Sequence, residues 1–469
     1  MCEEKSKAEL LKEKLFMKKE HTCAKIGADG VKEADLFCEG YMNYLDASKT
    51  ERESVETALA MAKAGGFVEF NKNVRYPAGS KVYVNNRGKA LILAVIGHRD
   101  IKDGVSIAAA HVDSPRLDLK PNPLYEDSDI AYFKTHYYGG IKKYQWTAIP
   151  LALHGVVIKA DGEAVKVNIG EDAADPRFVI TDLLPHLAAN QMRSTMAEGI
   201  KGEALNIVVG SRPFDNTEGA EAVKLNILNI LYEKYGITEA DFLSAELEAV
   251  PAFSACDIGF DRSLIGSYGH DDRVCAYPAL MAALDCEEPE YTCVTVLTDK
   301  EETGSEGNTG LDSKYLEYFI CDLASVYGAE GRDVLSASKC LSADVNAAFD
   351  PNFPEVFERR NTSFINQGVC ITKYTGARGK GGTSDASAEF LGEIRRLLDK
   401  EGICWQTGEL GKIDEGGGGT VAKYIAHLNV DVIDLGVPVL SMHAPFEVVS
   451  KFDVYMTYKA CLAFFGDDE

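Results

Sequence analysis

Residues 291–307, YTCVTVLTDKEETGSEG, join a short apolar run to an acidic turn. The run 291–298 has the length and the β-branched content of a buried strand, and the turn after it holds the adjacent glutamates Glu301 and Glu302. Because adjacent side chains diverge, one glutamate could bind a metal ion while the other faces a water molecule. A solvated acidic loop would explain this pair more simply, so the surrounding sequence has to decide.

Strand-like and helix-like runs alternate around this stretch. Helices are predicted at about 4–20, 31–47, 50–64, 273–285, 313–328, 385–400, 418–429 and 448–464. Strands are predicted in KVYVNN, ALILAVIGH and VSIAAAHVD, and at 291–298, 338–345, 368–374, 404–408 and 431–440. This alternation predicts an α/β fold in which a mixed, mostly parallel sheet is flanked by helices.

The character of the sequence changes between about 120 and 250. This region contains an aromatic cluster, AYFKTHYYGG (131–140), several short strand-like runs and a polar middle. We therefore predict an inserted β-rich domain at 119–251. The catalytic domain would then be discontinuous, formed by 1–118 and 252–469.

Composition excludes several classes of protein. The 469 residues include 73 acidic and 49 basic side chains, and the net charge of -24 argues against nucleic acid or an anionic membrane surface as a partner. No apolar run is long enough to span a bilayer, and the mixed-charge N-terminal stretch does not resemble a signal peptide. Twelve cysteines, mostly in apolar runs and without a C-x-x-C pair, indicate a reduced cytoplasmic protein.

Two further motifs could bind metal, although each also has a structural explanation. His111 ends an apolar strand and Asp113 points to the same side of an extended chain, which suits an imidazole ligand steadied by a carboxylate. A single histidine at a strand end is more commonly structural. In HDDR (270–273), Asp271 or Asp272 could bind a metal ion or simply cap the helix that follows, and for this motif alone the cap is the simpler interpretation.

Considered together, five motifs favour a metal site. They are HVDSP (111–115), HDDR (270–273), TDKEETGSEG (298–307), SADVN (342–346) and SMHAP (441–445). Each ends a predicted strand or begins the next helix, and such positions converge at one edge of an α/β sheet. They offer two histidines, two aspartates and a glutamate, with a second glutamate left over. That set suits two divalent ions sharing one carboxylate, so the spacing predicts a binuclear hydrolase using Zn²⁺, Mn²⁺ or Co²⁺.

These motifs also resemble a known family. HVDSPRLDLKPNPLYED, HDDRVCAYPAL, TDKEETGSEG, SADVNAAFDPNF and GVPVLSMHAPFE are similar to the signature blocks of the aspartyl aminopeptidase and vacuolar aminopeptidase I family of dinuclear zinc exopeptidases. The resemblance implies that one metal is held by His111, Asp271 and Asp344. It implies that the other is held by Asp271, Glu302 and His443, with Asp271 bridging the two.

The resemblance implies further roles and an assembly. Glu301 would be the general base, and Asp113 would support the ligand His111. The inserted domain would serve dimerisation, and dimers would build a tetrahedral homododecamer with its active sites facing an internal cavity. His186, in the inserted domain, would reach the active site of a neighbouring subunit, although a surface histidine is an equal alternative.

Substrate preference is left open by departures from the family pattern. Family members often carry two histidines shortly after the equivalent of Asp344, whereas this chain has Ala347 and Asp350. Lys373 and Arg378 could recognise an acidic side chain of the substrate, but a solvated basic loop explains them equally well. Two other functions stay open as alternatives, namely a deacylase or carboxypeptidase of the same architecture and a catalytically idle, self-assembling scaffold.

Overall fold

The computed structural model describes residues 5–17, 20–216 and 219–468. The helices are α1 (Lys7–Leu15), α2 (Thr22–Asp46), α3 (Glu51–Ala64), α4 (Met196–Gly199), α5 (Ala222–Tyr235), α6 (His270–Asp285), α7 (Tyr315–Val326), α8 (Gly331–Ser336), α9 (Ala388–Lys400), α10 (Ala422–Ala426) and α11 (Lys451–Phe465). The strands are β1 (Val68–Glu69), β2 (Lys81–Asn86), β3 (Ala90–Val95), β4 (Val105–His111), β5 (Arg116–Asp127), β6 (Ile130–Tyr138), β7 (Leu151–Ile158), β8 (Ala164–Ile169), β9 (Ile207–Gly210), β10 (Ala245–Pro251), β11 (Cys256–Ile258), β12 (Leu264–Ser267), β13 (Thr292–Thr298), β14 (Lys339–Ser342), β15 (Asn346–Ala347), β16 (Val369–Thr372), β17 (Trp405–Thr407), β18 (Asp431–Gly436), β19 (Pro438–Leu440) and β20 (Glu447–Ser450). Residue 4 and residues 18–19 of the helix predicted at 4–20 lie outside the described ranges.

The central sheet has nine strands in the order β1-β2-β3-β13-β4-β14-β18-β16-β17. Its middle strands β13, β4, β14 and β18 run parallel, whereas β3 pairs antiparallel with β13 and β16 pairs antiparallel with β18. Every residue of β4 is buried, as expected for an inner strand covered on both faces. The predicted α/β class with a mixed, mostly parallel sheet is confirmed.

Helices cover both faces of this sheet. On β4, Ile107 and Ala109 face one side, where they share a core with α7, α8 and α10. Ala108 and Ala110 face the other side, where α2, α3, α6, α9 and α11 pack. The small side chains of β4 on that second side let α6 lie close to the strand that ends in His111, because alanine leaves little space between the backbones.

A second sheet of six strands, β8-β7-β10-β5-β6-β9, is formed by residues between Arg116 and Pro251. It has its own core, built around the fully buried Trp146 and closed by α5. This region contains the stretch 119–251 that the sequence predicts to be an inserted domain. Its role in dimerisation stays a prediction.

The third sheet, β11-β12-β20-β19-β15, explains one difference from the sequence prediction. The run predicted as a single strand at 431–440 is divided at Val437, so that β18 belongs to the central sheet and β19 to the third sheet. The helix predicted at 418–429 is reduced to α10, because the preceding glycine run is a poor helix former. Within the described ranges, no helix has both the length and the apolar character needed to cross a bilayer.

Candidate metal centre

Three neighbouring parallel strands bring the predicted site residues to one edge of the central sheet. His111 ends β4 and is paired in register with Thr298 of β13, so the 3-10 turn Glu301–Thr303 follows immediately beside it. On the other side of β4, Ser342 of β14 pairs with Ala109, so Asp344 emerges level with His111. The carboxyl ends of parallel strands thus create the concentration of charge that the sequence indicates.

Asp271 and His443 reach this edge from other elements. Asp271 lies at the amino end of α6, where its backbone is still extended (φ -80°, ψ 104°), and Gly269 occupies the N-cap position. In the described structure no backbone N–H of α6 donates to the side chain of Asp271 or Asp272, so neither carboxylate caps this helix. His443 follows β19 of the third sheet and has a positive φ of 64°, which turns its ring back toward the central sheet.

The five residues form two groups that share Asp271. In the first group, His111 Nε2 lies 3.2 Å from Asp271 Oδ1 and 3.9 Å from Asp344 Oδ1. In the second group, His443 Nε2 lies 3.1 Å from Asp271 Oδ2 and 3.5 Å from Glu302 Oε1. Within each group, one potential ligand atom per residue lies within 4.8 Å of the others. Asp271 therefore offers one oxygen to each group, which is the arrangement of a bridging carboxylate.

Both histidines have the tautomer that a metal ligand requires. His111 Nδ1 donates to the backbone oxygen of Asp113 at 3.0 Å, and His443 Nδ1 donates to the backbone oxygen of Gly140 at 2.7 Å. A carbonyl oxygen can only accept, so the proton lies on Nδ1 in each ring. Each Nε2 faces the carboxylates and, when it carries no proton, would offer its lone pair to a metal ion.

Asp113 lies behind the site and contacts several of its members. Its Oδ1 accepts the backbone N–H of Glu301 at 3.1 Å, and its Oδ2 accepts the N–H of Glu302 at 3.1 Å and the hydroxyl of Tyr138 at 2.8 Å. Burial would raise the pKa of Asp113, but the contacts with His111 and Tyr138 outweigh burial and hold that pKa below its usual value. Asp113 is therefore ionised and orients both the imidazole and the turn that holds the two glutamates.

Two residues that the sequence analysis did not select complete the support of the site. Glu447, on β20, accepts the backbone N–H of Asp271 at 3.2 Å and that of His443 at 2.8 Å. Tyr138, at the end of β6, donates to Asp113. Glu447 lies only four residues from His443, but its other partner Asp271 is distant in the sequence, as Asp113 is from Tyr138, so no local pattern distinguishes these two residues from their neighbours.

Electrostatics and unsatisfied atoms show that the residues fit a cation. Burial raises the pKa of Glu301 to about 7, with the neighbouring Asp113 and Asp271 adding to the effect, and burial likewise raises the pKa values of Glu302 and Asp344. Glu302 Oε1 is buried without a hydrogen-bond donor among the described residues. A buried set of carboxylates and imidazoles without thiolate could hold divalent cations, zinc included, and a cation would satisfy the free oxygen.

A cavity of about 1120 Å³ opens directly over this cluster. Asp271, Glu301 and Asp344 line its floor, and aromatic and aliphatic side chains such as Phe353 and Leu410 line its walls. The glycine run 416–419 contributes residues 417–419 to the lining. The cavity is large enough to receive the end of a peptide.

The residues predicted to recognise the substrate do not lie in this cavity. Among the described residues that line it, Lys373, Arg378 and His186 are absent. The Nζ of Lys373 forms an ion pair with Asp385 and donates to the backbone oxygen of Ala386 at 2.7 Å, so its charge is already neutralised. His186 is exposed in the segment between β8 and β9. Its contact with the active site of a neighbouring subunit stays a prediction.

Comparison with known proteins agrees with the geometry. The family model of the M18 peptidases, described as aminopeptidase I zinc metalloprotease, matches residues 44–465. A "Probable M18 family aminopeptidase 1" of Clostridium acetobutylicum is 48% identical over 445 residues, which cover 93% of this chain and 96% of that protein. A protein of Thermotoga maritima with the same description is 46% identical over 433 residues, covering 91% of this chain and 95% of its own.

Solved structures give the same result. The crystal structure of the M18 aminopeptidase from Thermotoga maritima superposes with a TM-score of 0.92 at 44% identity, covering 96% of this chain and 99% of that chain. Aminopeptidase I from Clostridium acetobutylicum gives 0.90 at 44% identity and covers 97% of this chain and 100% of its own. Yeast aminopeptidase 1 shares the fold, with a TM-score of 0.73 at 20% identity over 92% of this chain and 97% of that one. The resemblance seen in the sequence motifs is thus confirmed, and this chain belongs to the M18 family of zinc metalloproteases, whose members are aminopeptidases that act on peptide bonds.

Proposed function

We propose that this chain removes the N-terminal residue of peptides by hydrolysis at two divalent metal ions, most simply zinc. The observation that carries the proposal is the division of Asp271, whose Oδ1 lies 3.2 Å from one histidine and whose Oδ2 lies 3.1 Å from the other. One ion would be held by His111, Asp271 and Asp344, and the second by Asp271, Glu302 and His443. A single mononuclear site would leave one of the two histidines without a role.

The residues divide the chemistry between them. When bound, the two ions would lower the pKa of a shared water and polarise the scissile carbonyl. Glu301 would accept the proton of the attacking water and pass it to the departing amine. Its Oε2 lies 3.8 Å from His111 Nε2, and its side chain is 16% exposed where it faces the cavity.

The site also explains cleavage at the first peptide bond. A metal ion or a nearby carboxylate would hold the free α-amine of the substrate, so that the first scissile carbonyl lies over the cluster. A deacylase or carboxypeptidase of the same architecture would not need this group. The two functions therefore differ in whether a blocked amine prevents hydrolysis.

Replacement of the proposed base tests the mechanism. We expect Glu301→Gln to lower kcat by about 10²–10⁴-fold while zinc content, measured by inductively coupled plasma mass spectrometry, stays at the wild-type level. Glu306→Gln is the matched control, because Glu306 is an exposed acid of the same segment. Normal turnover by Glu301→Gln would show that another group is the base.

A substrate panel tests the reaction class. Aminoacyl-fluorophore substrates carrying Asp, Glu, Leu or Lys are assayed with defined metals, each beside its N-acetylated counterpart. Hydrolysis of only the free-amine compounds is expected of an aminopeptidase. Equal hydrolysis of the acetylated compounds would favour the deacylase, and no hydrolysis by the metal-loaded protein would favour the idle scaffold.

We also propose that the chain self-associates, as a tetrahedral homododecamer built from dimers. A similar solved structure is described as a dodecamer of yeast aminopeptidase 1. Apolar side chains at least half exposed are concentrated between β8 and β9, namely Leu183, Leu184, Leu187, Met192 and Met196. Such a concentration is typical of an interface. If the assembly is a dodecamer, light scattering should give about twelve times the chain mass of 51.1 kDa. The described cysteines are free, which supports a cytoplasmic location.

A further inference from the structure

The segment 138–140, which follows β6 of the second sheet, contacts three members of the candidate metal centre. Tyr138 donates its hydroxyl to Asp113 Oδ2 at 2.8 Å. The backbone oxygen of Gly140 accepts from His443 Nδ1 at 2.7 Å. Gly139 packs so closely on Glu302 that a Cβ at this position would lie 3.1 Å from Glu302 Oε2. No other part of the second sheet contacts so many of these groups within the described residues.

We infer that Tyr138 is a positioning residue through which the second sheet orients the metal ligands and the base. The inference rests on the proposed function, since it concerns the same site. Asp113 holds the backbone of Glu301 and Glu302 through one carboxylate oxygen each. The Tyr138 hydroxyl is the one side-chain donor to Oδ2 among the described residues, and it therefore fixes the rotation of the carboxylate.

The tyrosine itself is held independently of the metal site. Its ring is 8% exposed, and the guanidinium of Arg116 lies 4.0 Å from the ring centroid. Arg116 is in turn bound by buried carboxylates of α3 and β10. A phenylalanine at position 138 keeps the ring and its cation–π contact, so the change removes the hydrogen bond to Asp113 together with the contact between the hydroxyl and Thr303.

Removal of that hydrogen bond should loosen the site without unfolding the protein. We expect Tyr138→Phe to lower kcat or zinc affinity by about 10–100-fold, as is usual for partners of metal ligands, with KM within about twofold of the wild type. Zinc affinity is measured by competition with a chromophoric chelator, and thermal unfolding verifies the fold. Tyr137→Phe is the matched control, because its neighbouring ring is 42% exposed and points to the opposite face of β6.

A double-mutant cycle with Asp113→Ala, which leaves no acceptor for the Tyr138 hydroxyl, separates positioning from general packing. If Tyr138 acts through Asp113, Tyr138→Phe should change zinc affinity in the wild-type background and leave it unchanged in Asp113→Ala. Equal effects in both backgrounds, or wild-type kcat and zinc affinity in Tyr138→Phe, would overturn the inference. Gly139→Ala, which pushes a Cβ toward Glu302, provides a second variant and should also weaken zinc binding.

Measurements on the wild-type protein distinguish a failure of this inference from a failure of the proposed function. Wild-type protein that binds two zinc ions and hydrolyses the substrates, combined with an unaffected Tyr138→Phe, would reject only the role of Tyr138. Wild-type protein that binds no zinc would reject the proposed metal centre and this inference together. Reduced zinc affinity in Tyr138→Phe, with the control normal, is the result expected.

Discussion

Asp271 is the residue on which the two groups of the site depend. Its two oxygens face different histidines, and the N–H of its own backbone is held by Glu447 at 3.2 Å. The contacts with His111 and His443 outweigh burial and lower the pKa of Asp271 below its ordinary value, so the carboxylate is ionised. Because this carboxylate is ionised and its two oxygens face different groups of the site, it can bind two cations at once.

Asp271→Asn should therefore separate metal binding from folding. An asparagine keeps the shape but offers only one acceptor oxygen, so we expect zinc content to fall from two ions to one or fewer per chain. Activity should fall by at least about 10³-fold, because the shared water would lose one of its two cations. Zinc content by mass spectrometry and circular dichroism of the same sample check both expectations. Two tightly bound zinc ions in this variant would contradict the bridging role.

The sequence was sufficient to select the residues of the candidate site but not to divide the roles between neighbours. His111, Asp344 and His443 were predictable because each follows an apolar strand, and strand ends converge in an α/β sheet. Asp271 and Asp272 could not be distinguished by pattern. In the structure their side chains diverge, and Asp272 Oδ2 accepts the backbone N–H of His111 at 3.3 Å while Asp271 faces the two imidazoles.

At the scale of elements, a buried histidine of the second sheet forms an ion pair with α3. His154 of β7 lies with Nδ1 2.9 Å from Glu53 of α3 and with Nε2 3.0 Å from Glu171 after β8. A neutral imidazole has one N–H and can satisfy only one carboxylate, so this geometry requires the imidazolium. Burial lowers the pKa of His154, but the hydrogen bonds with Glu171 and Glu53 outweigh burial and raise it above 6.5.

This histidine should make stability depend on pH. Because the pKa of His154 is higher in the folded than in the unfolded chain, its contribution is fully present below about pH 6.5 and is lost as the pH rises through the raised value. We expect the free energy of unfolding to fall by about 1 kcal/mol more in the wild type than in His154→Gln between about pH 6 and about pH 9. Urea denaturation of both proteins measures the difference. Parallel pH profiles would show that His154 is neutral in the folded protein.

Element boundaries were predictable where a periodic pattern ended at a clear signal. The helix predicted at 50–64 is α3, which begins after the capping box of Thr50 and Glu53. The predicted boundaries were wrong where tertiary pairing decided them. At Val437, for example, one apolar run is divided between strands of two different sheets. The strand predicted at 338–345 ends at Ser342 for a related reason, since Asp344 leaves the sheet to join the site.

At the scale of the whole molecule, whose net charge is -24, a buried cation joins α3, which covers the central sheet, to the second sheet. Arg116, where the chain enters the second sheet, is 4% exposed. Its Nη1 lies 3.3 Å from Glu51 of α3, and its Nε lies 3.2 Å from Glu248 of β10 and 2.8 Å from Asp118. One guanidinium thus neutralises carboxylates from both parts of the molecule.

Arg116→Met should cost both stability and activity. Methionine fills much of the same space but leaves the ionised Glu51 buried without its guanidinium partner, which destabilises a folded protein by about 3–5 kcal/mol. The variant also removes the cation from the Tyr138 ring, 4.0 Å from the guanidinium, so zinc affinity should fall with stability. Chemical denaturation and zinc competition are measured on Arg116→Met and on the double variant Arg116→Met/Glu51→Gln. Because the second change removes one of the buried negative charges, it should restore part of the lost stability while zinc affinity stays low. A double variant no more stable than Arg116→Met would show that packing, and not the charge of Arg116, joins α3 to the second sheet.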